Sequence, residues 1–197
     1  ATPDKAIFEL VSNYGGKAVL SSETHNTGTD RIFEVFKNTL KSSPNIIVNL
    51  QGDMPNIEPK IIKNLINYMQ QGKCEVGTLA SEIKNNFELE DENIVKVLVK
   101  EKLKEGIFSE ALDFLRVNPG KDYKTYHHVG IYAFTSIALT KYVSLKRSKL
   151  ELNRKLEQLR AMENGMSIHV GYINSSPLSV DTEKDLFRIK KLMDKNE

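Results

Sequence analysis

The chain has 197 residues, with 28 Lys and Arg against 26 Asp and Glu, for a formal net charge of +2. Its length suits one domain, and 40% hydrophobic with 27% charged residues is enough to build a core, which excludes wholesale disorder. The near-neutral balance argues against an electrostatic nucleic-acid binder, the lone Cys74 excludes a disulfide framework or cysteine-based zinc site, and no run of about 18 apolar residues crosses a membrane.

The N-terminus has no basic region followed by an apolar one, so the expected location is cytoplasmic. Residues 4–14 carry Ala6, Ile7, Leu10, Val11 and Tyr14 at helical spacing, and Gly15-Gly16 closes that helix. A short strand is expected at 17–21 and a second helix at 29–40. The run Asn45-Ile46-Ile47-Val48-Asn49-Leu50 reads as a strand buried on both faces. A helix at 59–68 has Pro59 in its first turn. Strands follow at 75–80, 94–99 and 128–134, the second of them Ile-Val-Lys-Val-Leu-Val. Residues 84–92 read as a polar surface loop and 100–105 as a charged turn. A helix at 150–164 ends at Gly165, a strand spans 168–173, and a closing helix spans 181–195 with Asp181 or Thr182 as its cap.

Strands alternating with helices of this length predict an α/β fold with a mainly parallel sheet. Ligands of such sheets sit beyond the carboxyl ends of the strands. Asp53 follows one strand end, in Gln51-Gly52-Asp53-Met54-Pro55, and Asp181 follows another. One or two carboxylates with substrate phosphates are a common way to hold Mg²⁺. Gly, Asp and Pro also build tight turns, so Asp53 alone leaves both readings open.

Three further clusters carry chemistry. His25-Asn26-Thr27-Gly28-Thr29-Asp30-Arg31 opens a helix, where backbone N–H groups suit an anion or a polar base edge, although helix capping accounts for the same residues. His127 and His128 point to opposite faces of a strand and do not readily share a metal; His128, Gly130 and Tyr132 share a face, which is equally a core arrangement. In Leu156-Glu157-Gln158-Leu159-Arg160 the leucines are core positions, and Glu157 and Gln158 would ordinarily be solvated.

The order and spacing of these segments are more specific than any one of them. The series from Gln51-Gly52-Asp53 through Asn93-Ile94-Val95-Lys96-Val97, His128-Val129-Gly130-Ile131-Tyr132, Leu156-Glu157-Gln158-Leu159-Arg160 and Val180-Asp181-Thr182-Glu183-Lys184-Asp185-Leu186 resembles the CMP-Kdo synthetases, the 3-deoxy-manno-octulosonate cytidylyltransferases. The loop at 25–31 is similar to their His-x-Ser-Gly-Thr-x-Arg motif. The likeness is collinear along the chain and weakest at 100–127. CMP-sialate synthetases share the fold without this set of motifs. A plain glycosyltransferase would show an Asp-x-Asp metal motif, which is absent.

The resemblance implies a single Rossmann-like nucleotide-diphospho-sugar transferase domain over 1–197 with a mainly parallel mixed sheet. It implies a cytoplasmic nucleotidyltransferase of Gram-negative lipopolysaccharide synthesis that joins CTP and Kdo with release of pyrophosphate, and a homodimer. By position, Asp53 and Asp181 match the Mg²⁺ carboxylates. Gln51, Thr27, Gly28 and Thr29 match nucleotide contacts, and His128, Tyr132, Glu157 and Gln158 match Kdo contacts.

The departures are specific. The family's first strand and its Arg- and Lys-bearing triphosphate loop would precede Ala1, so the expectation is an N-terminally truncated member, with an inactive remnant as the alternative. Met54 stands for a Glu, Glu110 for the Arg of Phe-Ser-Arg, Arg154 for a helix Glu, and Pro3 for an Asp. His127 stands for a basic residue, and Ser179 for a Gly.

Overall fold

The computed structural model describes residues 1–39, 44–120, 123–180 and 182–194. The chain begins with α1 (Lys5–Asn13), α2 (Gly28–Thr39), β1 (Ile46–Asn49), α3 (Pro59–Met69) and β2 (Val76–Ser81). It continues through α4 (Asn86–Glu90), β3 (Lys96–Val99), β4 (Phe108–Leu115) and β5 (Thr125–Thr135). It closes with α5 (Ser136–Ser144), α6 (Lys149–Arg154), α7 (Gln158–Glu163), β6 (Ile168–Tyr172) and α8 (Glu183–Met193).

Local signals account for many of the boundaries. Asp4 caps α1 by accepting from the backbone N–H groups of Ala6 and Ile7, and Gly15 ends it at a φ of +78°. Ser148 and Thr182 each make a reciprocal capping box, with Glu151 and Asp185 respectively. Residues 40–43 and Asp181 lie outside the described residues, and with them the C-terminal limit expected for the second helix and the start expected at Asp181.

The six strands form one mixed sheet in the order β1-β5-β2-β6-β4-β3, with a further pairing of β5 to β3. The expected alternation and mixed sheet are present, but the direction differs from expectation. Among the described residues only β2–β6 is parallel in this sheet; β1–β5, β2–β5, β3–β4, β3–β5 and β4–β6 are antiparallel. The cause is β5, which receives β1 along 132–135 and β3 along 125–127, with β2 also antiparallel to it.

Several local expectations are corrected. The single helix at 150–164 is two helices, because Lys155 takes a left-handed φ of 54° between them. No Gly or Pro marks that break. The strand at 17–21 reduces to one parallel bridge, Thr2 with Leu20. The loop at 84–92 holds α4, capped by the Asn85 side chain accepting from Glu88 N–H. The run at 45–50 is half-buried rather than buried on both faces. Strand β4 and helix α5 had no counterpart in the sequence reading. In β4 the inward residues include Ser109 and Ala111, which do not form an apolar alternation. Helix α5 follows β5 directly, capped by the Thr135 hydroxyl accepting from Ala138 N–H.

Two core clusters cover the two faces of the sheet. One joins Val76, Tyr132, Phe134 and Val170 to Leu139, Tyr142 and Leu159 of α5 and α7, with Ile32, Phe33 and Phe36 of α2 packed against it. The other joins Leu79, Ile131 and Ala133 to Leu65 and Met69 of α3. Alternation along the strands assigns neighbouring residues to opposite clusters. A Cβ at Gly77 would lie 2.7 Å from Met69 Sδ and 2.9 Å from Leu65 Cδ1, so α3 approaches the backbone of β2 closely at that glycine. No helix among the described residues is long and apolar enough to cross a membrane.

Candidate active site

The site gathers where β1 ends, where α2 begins and where β5 bulges. Between Thr78 and Leu79 of β2 the pairing on β5 jumps from Tyr132 to Val129, leaving Gly130 and Ile131 unmatched. The Thr78 hydroxyl fills this bulge, lying 2.8 Å from the Ile131 carbonyl and 2.9 Å from His128 Nε2. The Gly130 carbonyl accepts from Gln51 Nε2 at 3.4 Å. A bulge re-aims side chains beside it, and here it sets His128 and Tyr132 with ring centroids 5.6 Å apart.

His128 is fully enclosed. Its ring stands edge-on to Phe114 at 4.9 Å, and burial pushes its pKa down to about 3, with His127 adding a small push the same way. It is therefore a neutral imidazole at physiological pH. The sequence-level alternative of a core histidine describes its contacts, and its neighbour Tyr132 presents to the site. Burial, then the proximity of Glu157, holds the Tyr132 phenol well above its ordinary pKa.

Thr29, Tyr132, Glu157 and Gln158 line one narrow crevice. Thr29 comes from the first turn of α2, anchored by Asn49 Nδ2 donating to its hydroxyl at 3.3 Å from the end of β1. Thr27 caps that helix: its hydroxyl accepts from Asp30 N–H at 3.2 Å and donates to Asp30 Oδ2 at 2.9 Å. A Cβ on Gly28 would lie 3.7 Å from Asn49 Nδ2, so this glycine marks ordinary contact rather than forced closeness. Glu157 lies just before α7. Burial pushes its carboxyl pKa up, against the nearby hydroxyls of Thr27 and Thr29 that pull it down. Its Oε2 is buried with no hydrogen-bond partner among the described residues.

Asp53 stands beyond the carboxyl end of β1. Its Oδ2 accepts from the Ser179 hydroxyl at 3.3 Å, and its backbone carbonyl accepts from Val180 N–H at 2.9 Å. Asp53 Oδ1 is buried and, among the described residues, has no partner. A buried carboxylate oxygen left unpaired is costly, and a hard cation would satisfy it. No group of three or more His, Cys, Asp or Glu among the described residues is arranged to hold a metal. Asp181 lies outside them, but the Val180 bond brings the chain to Asp53 at the residue before it.

Thr29, Tyr132, Glu157 and Gln158 thus share one crevice, with Thr27 and Gly28 on the turn that carries Thr29, while Gln51 lies against the Gly130 carbonyl and Asp53 stands at the strand end. Asn49, Thr78 and Tyr142 contribute and had no sequence signal of their own. The departures separate by place. Ser179 bonds the candidate metal carboxylate. Met54 is buried in the α3-side core. Glu110 is exposed, 3.6 Å from Lys100, and Arg154 holds Asp113 at 2.7 Å on β4.

Residues 1–168 match the family described as cytidylyltransferase. The 3-deoxy-manno-octulosonate cytidylyltransferase of Bartonella tribocorum is 37% identical over 98% of this chain and 79% of its own length. That of Brucella anthropi is 38% identical over 98% of this chain and 78% of its own. A solved CMP:2-keto-3-deoxy-manno-octonic acid synthetase complexed with CTP superposes with a TM-score of 0.87 at 31% identity, covering 98% of this chain and 79% of that one. A UDP-glucose pyrophosphorylase complexed with UDP-glucose shares the fold, with a TM-score of 0.63 at 14% identity. The chain belongs to the cytidylyltransferase family, among the 3-deoxy-manno-octulosonate cytidylyltransferases.

Proposed function

We propose that this chain joins CTP to the eight-carbon sugar acid Kdo and releases pyrophosphate, in the cytoplasm. The observation that carries the reading is a pair of buried carboxylate oxygens without a partner among the described residues, Asp53 Oδ1 beyond the end of β1 and Glu157 Oε2 in the crevice before α7. Each is a place where a substrate or ion completes what the protein leaves open.

In this reading the anomeric hydroxyl of the sugar acid attacks the α-phosphorus of CTP, and pyrophosphate leaves with the electron pair. The protein contributes position and charge, without a covalent intermediate. Gln51 and the Thr27–Thr29 turn hold the nucleotide. Tyr132, Glu157 and Gln158 offer hydrogen-bonding groups to a polyhydroxylated substrate, and a buried site of this kind rejects an analogue that leaves one unmatched. His128 supports Tyr132 from behind rather than exchanging protons, because its ring stays neutral. Asp53, with Asp181, would hold Mg²⁺, whose chemistry is to offset charge on the phosphates.

The test is pyrophosphate release with CTP, Kdo and Mg²⁺, omitting each in turn. Release that requires all three is expected. Asp53→Asn should reduce it by roughly 100-fold or more, since a metal site contributes several kcal/mol to such a step. Release that survives Asp53→Asn unchanged would remove Asp53 from the site.

A further inference from the structure

A buried ion pair next to the cleft links its two walls. Arg160 of α7 and Glu151 of α6 are both buried and paired twice, Nε to Oε2 at 2.9 Å and Nη2 to Oε1 at 2.6 Å. Glu151 is further held by Arg147 Nε at 2.9 Å and by the backbone N–H of Ser148 at 3.1 Å. The Arg160 guanidinium lies 4.6 Å from the centre of the Tyr142 ring, and Tyr142 Oη donates to the Glu157 carbonyl at 3.0 Å. The main-chain N–H of Arg160 donates to the same carbonyl at 3.1 Å, independently of the side chain.

The remaining nitrogen reaches the other way. Arg160 Nη1 lies 3.7 Å from Oδ1 of Asp30, the same side chain whose Oδ2 takes the Thr27 hydroxyl. The guanidinium therefore reaches Glu157 on one side through the Tyr142 ring it lies against, and on the other, through Asp30, the Thr27–Thr29 turn.

We propose that Arg160 is a positioning residue: it sets the separation of the Thr27–Thr29 turn from Glu157 and Gln158, and hence the fit of the cleft to its substrates. A buried ion pair is poor evidence for stability, because desolvation offsets its attraction, and an apolar replacement is often neutral. The geometry supplies another use. The planar fork holds Glu151 with two nitrogens and leaves the third free to face Asp30, which a lysine cannot reproduce. This assignment rests on the functional reading above only for what the cleft binds, not for the linkage itself.

The test uses Arg160→Lys, Arg160→Met and Asp30→Asn, with amide hydrogen exchange as the first readout. Asp30→Asn keeps an acceptor for the Thr27 hydroxyl and leaves the buried pair intact. Both Arg160→Lys and Asp30→Asn should raise exchange at residues 28–31 by about tenfold or more, while α3 and β2 keep their protection. Uniform acceleration across the chain, or unchanged exchange at 28–31, would overturn the proposal. Should Arg160→Met fail to fold, the other two variants still decide. The second readout is kinetic: KM for the sugar acid and for CTP should rise about tenfold in Asp30→Asn, with kcat changed less. Absence of turnover in the parent protein would refute the functional reading and leave the exchange result to judge the linkage.

Discussion

At the scale of single residues, burial rather than neighbouring charge governs the ionisable groups of the cleft. Glu157 illustrates this: its pKa is raised by desolvation despite the hydroxyls of Thr27 and Thr29. A carboxyl with a raised pKa in the native state contributes stability below its ordinary value, and that contribution is lost as pH rises through the shifted one. Replacing Glu157 by Gln removes the charge at similar size. The variant should melt ~2–4 °C higher than the parent at pH 7, the shift expected of about 1 kcal/mol in a chain of this size, with the gap narrowing toward pH 4. Thermal melts at a series of pH values check this; equal midpoints throughout would mean the carboxylate is better solvated than its surroundings indicate. Stability gained with substrate affinity lost is the pattern expected of a group kept for binding.

At the scale of elements, the junction of α6 and α7 is where sequence and structure part most clearly. Leu152, Leu156 and Leu159 keep a helical rhythm, yet Lys155 turns left-handed between the two helices. A non-glycine residue there costs ~1–2 kcal/mol. Lys155→Gly should therefore raise the denaturation midpoint by up to about 1 kcal/mol, after the entropy glycine adds to the unfolded chain. A destabilised variant would show that the Lys155 side chain makes a compensating contact. The break is what turns Glu157 and Gln158 toward the cleft instead of solvent, so the feature that escaped the periodicity is the one that builds the site.

The same contrast runs through the other elements. Helices with caps, such as α1 and α8, were legible because a short polar side chain announces a helix start. Strand β4 was not, because Ser109 and Ala111 occupy its inward positions. The order of pairing was illegible for a deeper reason: periodicity reports which face of a strand is buried, not which strand lies beside it. Of the residues grouped by resemblance, Thr29, Tyr132, Glu157 and Gln158 line one crevice, whereas Arg160, Asn49 and Thr78 act through partners far along the chain, and no local spacing reveals those.

At the scale of the whole molecule, the buried histidines set the first response to mild acid, above the range where Glu34, Glu75 and Glu151, whose pKa values are lowered, take up protons. His127, His128 and His169 all have pKa values lowered, first by burial. A depressed value means stability that is complete above the ordinary pKa of 6.5 and lost as pH falls toward the native value. Urea midpoints should hold steady near pH 7 and then decline below 6.5, with a limiting slope of about 1.4 kcal/mol per pH unit for each histidine fully involved. Glu157 acts in the opposite direction just above the ordinary carboxylate range and flattens the lower end of the curve. His128→Gln should make the decline shallower. Midpoints unchanged between pH 7 and pH 5 would contradict the burial of these rings.

Strand β5 carries a consequence for how the protein comes into being. Ile46 must find Thr135, and Lys96 must find His127, while β2 adds to the same strand from its other edge. Until residues 125–135 have left the ribosome, β1, β2 and β3 have no common partner, and their apolar edges wait uncovered. Chains whose contacts are this distant in sequence close slowly, because loop entropy must be lost before the contacts reward it. The nascent chain therefore passes through a long interval in which it is open to self-association, which β5 shortens and β6, joining β2 to β4, ends. Synthesis that pauses once residues up to 172 have left the ribosome should capture an assembled sheet, and a pause before residue 125 a collapsed chain without one.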